Sequence, residues 1–135
     1  MEIEKQTRLA FHGVDILHVN FNFSAPCDKD MNIDINCVPR VFYPNDNNSI
    51  FKIVMEVELK DERYFNLTIN AVGNFELNTE ITDEIKRTFV NANAPAIMFP
   101  YIRSFISTLT ANMGNAIGTL TIPTQFFKGD LEEIS

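Results

Sequence analysis

The sequence predicts an α+β fold in which one long, proline-containing helix covers one face of a four-stranded antiparallel sheet. In the first two-thirds, apolar and polar residues alternate with a period of two, which is typical of half-buried strands. In the last third, apolar residues recur at spacings of three and four, which is typical of an amphipathic helix. A length of 135 residues suits one domain, so we expect residues 1–135 to fold as a unit.

Four segments between about residues 8 and 77 carry the strand pattern. Their apolar members, in chain order, are Leu17, Val19, Phe21 and Phe23; Met31, Ile33, Ile35 and Cys37; Phe51, Ile53, Met55, Val57 and Leu59; and Phe65, Leu67, Ile69 and Ala71. Gly13 interrupts the register of the first strand, which predicts a bulge or bend there. Short connections favour antiparallel pairing, in either meander or Greek-key order. Each predicted strand has one apolar face, so something must cover that side of the sheet.

Two helical pieces, within about residues 82–113, are expected to supply this cover. Thr82 can cap the first piece, which runs to about Asn91, and Asn93 or Ala94 caps a second that continues to about Met113. Pro95 fits the first turn of the second helix, and Pro100 is expected to kink its early turns. Its apolar stripe comprises Ile97, Met98, Tyr101, Ile102, Phe105, Ile106, Leu109 and Met113.

That stripe is wider than one contact with a sheet requires. We therefore expect half of it to close the core and the rest to meet another subunit. The residues assigned to this oligomer interface are Tyr101, Ile102, Phe105, Ile106 and Leu109. After the helix, an extended apolar crossover segment at about 117–127 leads into a short acidic tail, expected to fray or to form one helical turn.

Charge and composition exclude several classes of function. The net charge is −7 and no basic stripe is visible, which argues against nucleic acids and anionic membranes as partners. The first residues lack the pattern of a secretory signal, and no apolar run reaches the ~18 residues that a membrane helix needs. We therefore expect a cytoplasmic protein in which Cys27 and Cys37 are reduced. The 12 Phe are generous for one small core, which indicates further apolar contacts at an interface or a partner groove.

No convincing catalytic set is present. His12 and His18 would share the polar face of an unbroken strand, but Asp15 points to the other face, so a metal site is not expected. Cys27 follows a strand-ending proline and has no flanking motif of a nucleophile. We expect no enzymatic activity, no metal and no cofactor.

The segment APAIMFPYIRSFISTLTANMG, from Ala94 to Gly114, resembles the signature of the SecB family of protein-export chaperones. The order of strands before it matches as well, with loose counterparts in FSAP at Phe23 to Pro26 and in GNFEL at Gly73 to Leu77. The resemblance covers about residues 8–126. It implies a Greek-key sheet, and homotetramers built as dimers of dimers in which the long helices lie between two sheets.

The resemblance also implies a function. SecB-family proteins hold unfolded polypeptides, their clients, in apolar grooves without ATP, and pass many of them to the SecA motor. The matching client-binding positions here are Met31, Ile33, Ile35, Leu120, Ile122, Pro123 and Phe126. The positions that would face SecA are Asn20, Ser24 and Thr68, which are uncharged here, whereas the family has acidic residues there.

The sequence leaves the role within this family open. The first hypothesis is an ATP-independent holdase for unfolded polypeptides, with SecA as a candidate partner in export. The alternative is a dedicated chaperone of a single partner, such as an antitoxin, without handover to SecA. An enzyme that uses His12, His18 or Cys27 is the third.

Overall fold

A computed structural model describes residues 9–25, 31–44, 49–77, 82–125, 127 and 129–135. Five strands and two α-helices are present in this part of the chain. In chain order they are β1 (Leu9–Phe23), β2 (Asp34–Phe42), β3 (Ile50–Asp61), β4 (Phe65–Leu77), α1 (Asp83–Thr88), α2 (Ala94–Ala111) and β5 (Glu132–Ile134). A π-helical stretch, Phe89–Asn93, joins α1 to α2. The predicted α+β class is confirmed.

The strands form one sheet in the order β1-β4-β3-β2-β5. The four long strands pair antiparallel, as predicted, and β1 lies beside β4. The fifth strand was not predicted: β5 pairs parallel with the end of β2, so the sheet is mixed. The acidic tail was expected to fray or form a helical turn. It instead satisfies backbone groups at the sheet edge, a long-range pairing that local sequence does not reveal.

Two irregularities shape β1. The register with β4 shifts between Phe11 and Val14, around Gly13 with its φ of 102°, and again between Ile16 and His18. The bulge expected at Gly13 is therefore confirmed. Leu17 falls at the second shift and is 69% exposed, so its assignment to the apolar face was wrong. One extra residue in a strand reverses which face the following side chains occupy.

The core lies between one face of the sheet and α2. On β3 and β4, alternate residues are buried, beginning with Phe51 on β3 and Phe65 on β4. Phe51 stacks on Phe75 with ring centroids 5.3 Å apart. From α2, the core receives Ala94, Pro95, Met98, Phe99, Ile102, Ile106 and Thr110. The other face of the sheet, here called the outer face, carries the polar partners in the alternation, so the prediction of one covered face is confirmed.

The helical region is continuous, unlike the predicted break. Thr82 caps α1 by accepting a hydrogen bond from the backbone N–H of Ile85, as expected. Asn93, however, has helical angles and makes no side-chain capping bond, so the predicted restart there was wrong. In the π-helical stretch the N–H of Ala94 reaches back five residues to the carbonyl of Phe89. This wider turn lets the helix continue past Pro95, which has no N–H to donate.

Candidate functional site

The segment that enters β2 carries the first group of predicted client-binding residues. Met31, Ile33 and Ile35 are each partly buried and pack against the core. Ile35 lies opposite Leu59 on β3, which places it on the covered face. The three side chains therefore form an apolar margin of the core that is only half removed from solvent.

Asp61 fastens this segment to the tip of the β3–β4 hairpin. Its Oδ2 accepts from the backbone N–H of Asn32 at 2.8 Å, and its Oδ1 accepts from the backbone N–H of Arg63 at 2.9 Å. The Arg63 guanidinium donates to both oxygens, at 3.2 and 3.1 Å. The bonds from the Arg63 side chain, helped by the backbone donors, lower the pKa of Asp61 to about 2, although burial acts in the opposite direction. Asp61 thus holds Asn32, and with it Met31 and Ile33.

The crossover segment carries the second group, and three side chains of α2 tie it down. Arg103 Nε donates to the carbonyl of Ile122 at 3.0 Å, and Ser107 Oγ donates to the carbonyl of Leu120 at 2.8 Å. The N–H of Leu120 donates to Thr110 Oγ1 at 2.8 Å, in a fully buried position. Three backbone groups of this extended segment, at Leu120 and Ile122, are thereby satisfied by side chains of the helix.

These contacts decide which predicted residues reach the surface. Leu120 and Ile122 point inward and are 5% and 3% exposed, so they belong to the core of the subunit. Pro123 is exposed, and Phe126 lies outside the described residues. A shallow cleft of about 240 Å³ lies between the segment and α2, lined by Pro100, Arg103, Ser104, Ser107, Thr121 and Ile122. Pro123 therefore lies at the surface, whereas the side chains of Leu120 and Ile122 pack in the core beneath the segment.

A second apolar stripe on α2 is only partly covered by the rest of the subunit. It repeats every four residues, with Ile97 at 37% and Tyr101 at 54% exposure and with Phe105 and Leu109 partly buried. It is here called the outer stripe. Met113, which is 36% exposed, follows just after the end of the helix. The Tyr101 ring packs on Phe11 of β1 with centroids 5.2 Å apart.

Of the residues assigned to an oligomer interface, three lie on the outer stripe and two do not. Ile102 and Ile106 are fully buried within the subunit. Further exposed apolar side chains lie on β1, where Val19 and Phe23 are 39% and 38% exposed. Val19 and Phe23 lie opposite the core residues Ile69 and Phe65 of β4, so they belong to the covered face of the sheet. Their exposure shows that this part of the face is not fully covered.

The residues assigned to SecA docking lie at one end of the outer face. Asn20 pairs with Thr68 across β1 and β4, and the side chain of Asn22 donates to Asn20 Oδ1 at 2.8 Å. The backbone N–H of Ser24 donates to the carbonyl of Tyr64 at 2.7 Å. The three residues are themselves uncharged, but charged side chains lie beside them: Thr68 pairs with Glu58 of β3, and a shallow cleft next to Ser24 is also lined by Lys60 and Glu62.

The candidates for catalysis remain dispersed. His12 Nε2 lies 3.2 Å from Glu76 Oε1 at the surface, and His18 lies opposite Asn70. Cys37 is partly buried, and burial raises the pKa of its thiol to about 11, which disfavours the thiolate; Cys27 lies outside the described residues. Across the described ranges, no three His, Cys, Asp or Glu side chains are placed to hold a metal ion. In that same part of the chain, no helix is both long and apolar enough to cross a membrane.

The sequence did not reveal that the acidic tail pairs with β2. Residues 129–135, here called the strap, run beside α1 and the end of β2. A cleft of about 340 Å³ separates the strap from α1, with Val41, Tyr43 and Val90 among its lining. A short apolar pair in the tail, Leu131 and Ile134, was the only local sign that it would pack.

Comparison with known proteins places this fold. The family described as preprotein translocase subunit SecB matches residues 14–121, which is most of the chain. An uncharacterized protein of Methanocaldococcus jannaschii is 28% identical, over 83% of this chain and 76% of its own length. The protein-export protein SecB of Orientia tsutsugamushi strain Boryong is 26% identical, over 78% of this chain and 65% of its own length. This chain therefore spans slightly less than two-thirds of that export protein.

A solved structure is similar in fold. It is a SecB-like chaperone of Mycobacterium tuberculosis in complex with a ChAD peptide from the HigA1 antitoxin. The TM-score is 0.68 at 16% sequence identity, with 87% of this chain and 88% of that chain covered. The resemblance carried by the Ala94–Gly114 segment is confirmed by these findings: the chain is a member of the SecB family of chaperones.

Proposed function

We propose that this protein is a non-enzymatic, ATP-independent holdase that binds unfolded or partly folded polypeptides through apolar surface. Membership of the SecB family supports the class of function. The observation that carries the proposal is the half-buried apolar margin at Met31, Ile33 and Ile35, together with the partly covered outer stripe of α2, on a protein of net charge −7. Such surface is unusual on a monomer that has no partner, and like charge keeps the molecules that expose it apart.

The client surface proposed here comprises the half-buried margin at Met31, Ile33 and Ile35 together with Pro123. Leu120 and Ile122 act as its support, since both side chains are buried. Each short apolar segment gains only ~25 cal/mol per Å² buried, so single contacts are weak and unspecific. Several such contacts on one oligomer add through effective concentration.

The outer stripe supports assembly with further copies of the chain. Tyr101, Phe105 and Leu109 present apolar side chains on one line of α2, while Ile102 and Ile106 stabilise the helix from inside. We propose a homo-oligomer, a dimer of dimers, in which outer stripes meet. The order β1-β4-β3-β2 of the long strands supports the Greek-key connectivity expected for this fold.

Two measurements test the holdase. Native mass spectrometry should give a mass near four chains, and the protein should suppress aggregation of a chemically unfolded client without ATP. Tyr101→Asp should reduce the mass, because it places a charge in the outer stripe. Ser104→Asp, an exposed change elsewhere on α2, should not. A monomeric wild type that leaves aggregation unchanged would contradict the proposal.

A pair of variants, one on the proposed client surface and one control, tests where the client binds. Ile33→Ser should weaken binding of the unfolded client several-fold by removing apolar contact area. Ile50→Ser, the same change at an exposed isoleucine at the opposite end of the sheet, is the matched control and should leave affinity unchanged. Equal affinity of both variants and the wild type would remove Ile33 from the client surface.

A dedicated chaperone of one partner, such as an antitoxin, is the second candidate, located like the first in the cytoplasm. It is favoured by the fold neighbour, whose bound peptide comes from an antitoxin. Asn20, Ser24 and Thr68 also lack the acidic side chains that the family resemblance implies at the positions facing SecA, which fits a chaperone without SecA handover. Binding to purified SecA in low-salt buffer separates the roles: measurable affinity supports export, and its absence supports the dedicated chaperone.

A further inference from the structure

The outer edge of β2 is only partly covered. The strap pairs with its last three residues, Arg40 with Glu132 through Phe42 with Ile134. Within the described residues, no strand pairs with the outer side of the preceding part, residues 34–39. The unpaired backbone groups of an edge strand are a template for another extended chain.

Besides its pairing with β2 and the packing of Leu131, the strap is held by a few side-chain contacts within the described residues. The Asn91 side chain makes two of them: its Oδ1 accepts from the N–H of Leu131 at 2.8 Å, and its Nδ2 donates to Asp130 Oδ1 at 3.2 Å. The ion pairs are longer and exposed, with Arg40 Nε 3.7 Å from Glu132 and Arg87 Nε 4.0 Å from Asp130. Exposed pairs of this kind contribute little and are screened by salt.

The covered and uncovered parts of the edge are continuous with the proposed client surface. Met31 and Ile33 directly precede β2, so a chain running parallel to β2 from that end would pass along the uncovered edge. It would then reach Arg40–Phe42, where the strap already lies in the same parallel direction. The strap therefore shows the conformation that this edge accepts.

We propose that the edge of β2 binds an extended client segment as an added parallel strand, and that the strap is an internal competitor which the client displaces. This inference rests on the proposed function, polypeptide binding. The partner is an unfolded segment with an apolar residue in the place of Leu131, which packs against the core. Acidic or neutral neighbours suit it better than basic ones, since Arg40 and Arg87 flank the path.

Competition of this kind makes the apparent affinity depend on the fraction of molecules in which the strap is released. Asn91→Ala removes both side-chain bonds to the strap and should therefore raise that fraction. We expect a roughly threefold to tenfold tighter apparent Kd for an unfolded client. Asn93→Ala, at an exposed position two residues along the same helical run, is the matched control and should bind as the wild type does.

A reversible covalent lock gives the opposite perturbation. Arg40 and Glu132 are registered partners on neighbouring strands, and such Cα atoms lie about 5 Å apart, within the span of a disulfide. The full-length variant Arg40→Cys/Glu132→Cys, in a Cys27→Ser background, can be closed by oxidation and reopened by dithiothreitol. The probe is a small disulfide protein kept unfolded by reduction and alkylation.

The locked form should bind this probe at least tenfold more weakly than the same sample after reduction. Equal affinity of the oxidised and reduced forms would overturn the proposal while leaving the holdase intact. Failure of the wild type to bind the probe at all would instead overturn the proposed function, and the strap inference with it.

Hydrogen exchange on the wild type supplies a readout that needs no variant. When the protein is saturated with the probe, the amides of Glu132–Ile134 should lose protection, because the strap has left β2. Amides of β2 itself should keep or gain protection, because the client replaces the strap. Unchanged exchange in the strap on saturation would contradict the proposed displacement.

Discussion

Thr110 fastens the crossover segment to α2 through one buried hydroxyl group, so a small change there should have a measurable effect. Its hydroxyl is fully buried, donates to the Ile106 carbonyl at 2.8 Å, and accepts from the N–H of Leu120 at 2.8 Å. Thr110→Val keeps the shape of the side chain but cannot accept that bond. The backbone N–H of Leu120, a residue whose side chain is also buried, then loses its acceptor.

The size of the effect follows from two opposing terms. An unsatisfied buried amide costs about 1–3 kcal/mol. The Ile106 carbonyl lies within α2 and loses little, whereas the added methyl group of valine is buried and returns at most about 0.8 kcal/mol. We therefore expect Thr110→Val to lower the free energy of unfolding by about 1–2 kcal/mol.

Urea unfolding followed by circular dichroism measures this change. Protein concentration must be equal for all samples, since an oligomer is stabilised by mass action. Thr108→Val, an exposed threonine in the same helix, controls for helix propensity and should stay within about 0.5 kcal/mol of the wild type. If Thr110→Val were as stable as this control, Thr110 would not fasten the crossover segment.

Three further predictions concern the core and the client margin. Asp61→Asn should destabilise the protein at neutral pH and detach Asn32. Because the pKa of Asp61 is lowered to about 2, the wild type should lose this stabilisation as the pH falls from about 4 towards 2. Urea titrations of the variant should lack that pH dependence. Gly73→Ala should cost about 1–3 kcal/mol in the same assay, because an added Cβ would lie 2.8 Å from Met98 Sδ; a neutral result would mean that Met98 moves aside freely. Burial raises the pKa of Cys37 from 9.0 to about 11. In a Cys27→Ser background at pH 8, the Cys37 thiol of the folded protein should therefore react with a thiol reagent roughly a hundredfold more slowly than that of the protein unfolded in urea. Similar rates in the two states would contradict that burial.

The sequence alone predicts the layered architecture well where the apolar period is regular. On β3 and β4 every second residue from Phe51 to Leu59 and from Phe65 to Ala71 is buried as expected. The division of the α2 stripe into an inner and an outer half was also visible in its width. Which residues fall in each half was not, and Ile102 and Ile106 proved to be core.

The remaining differences have physical causes that act beyond a local window. A single extra residue near Leu17 changes the face that a side chain occupies, and its position is set by pairing with β4. The strap forms a strand only because the edge of β2 offers it partners. The fastening of Met31 and Ile33 depends on Asp61, which is distant from them in sequence. The residues of the client surface could therefore be predicted in outline, but the contacts that hold them in place could not.

The most direct test of the account is equilibrium binding of one polypeptide in two states. A small disulfide protein is offered to the full-length wild type both in its native form and permanently unfolded by reduction and alkylation, without ATP. We expect saturable binding of the unfolded form, weakened by Ile33→Ser but not by Ile50→Ser, and no measurable binding of the native form. Equal binding of both forms, or of neither, would contradict the proposal that this SecB-family protein holds unfolded chains through its apolar margin.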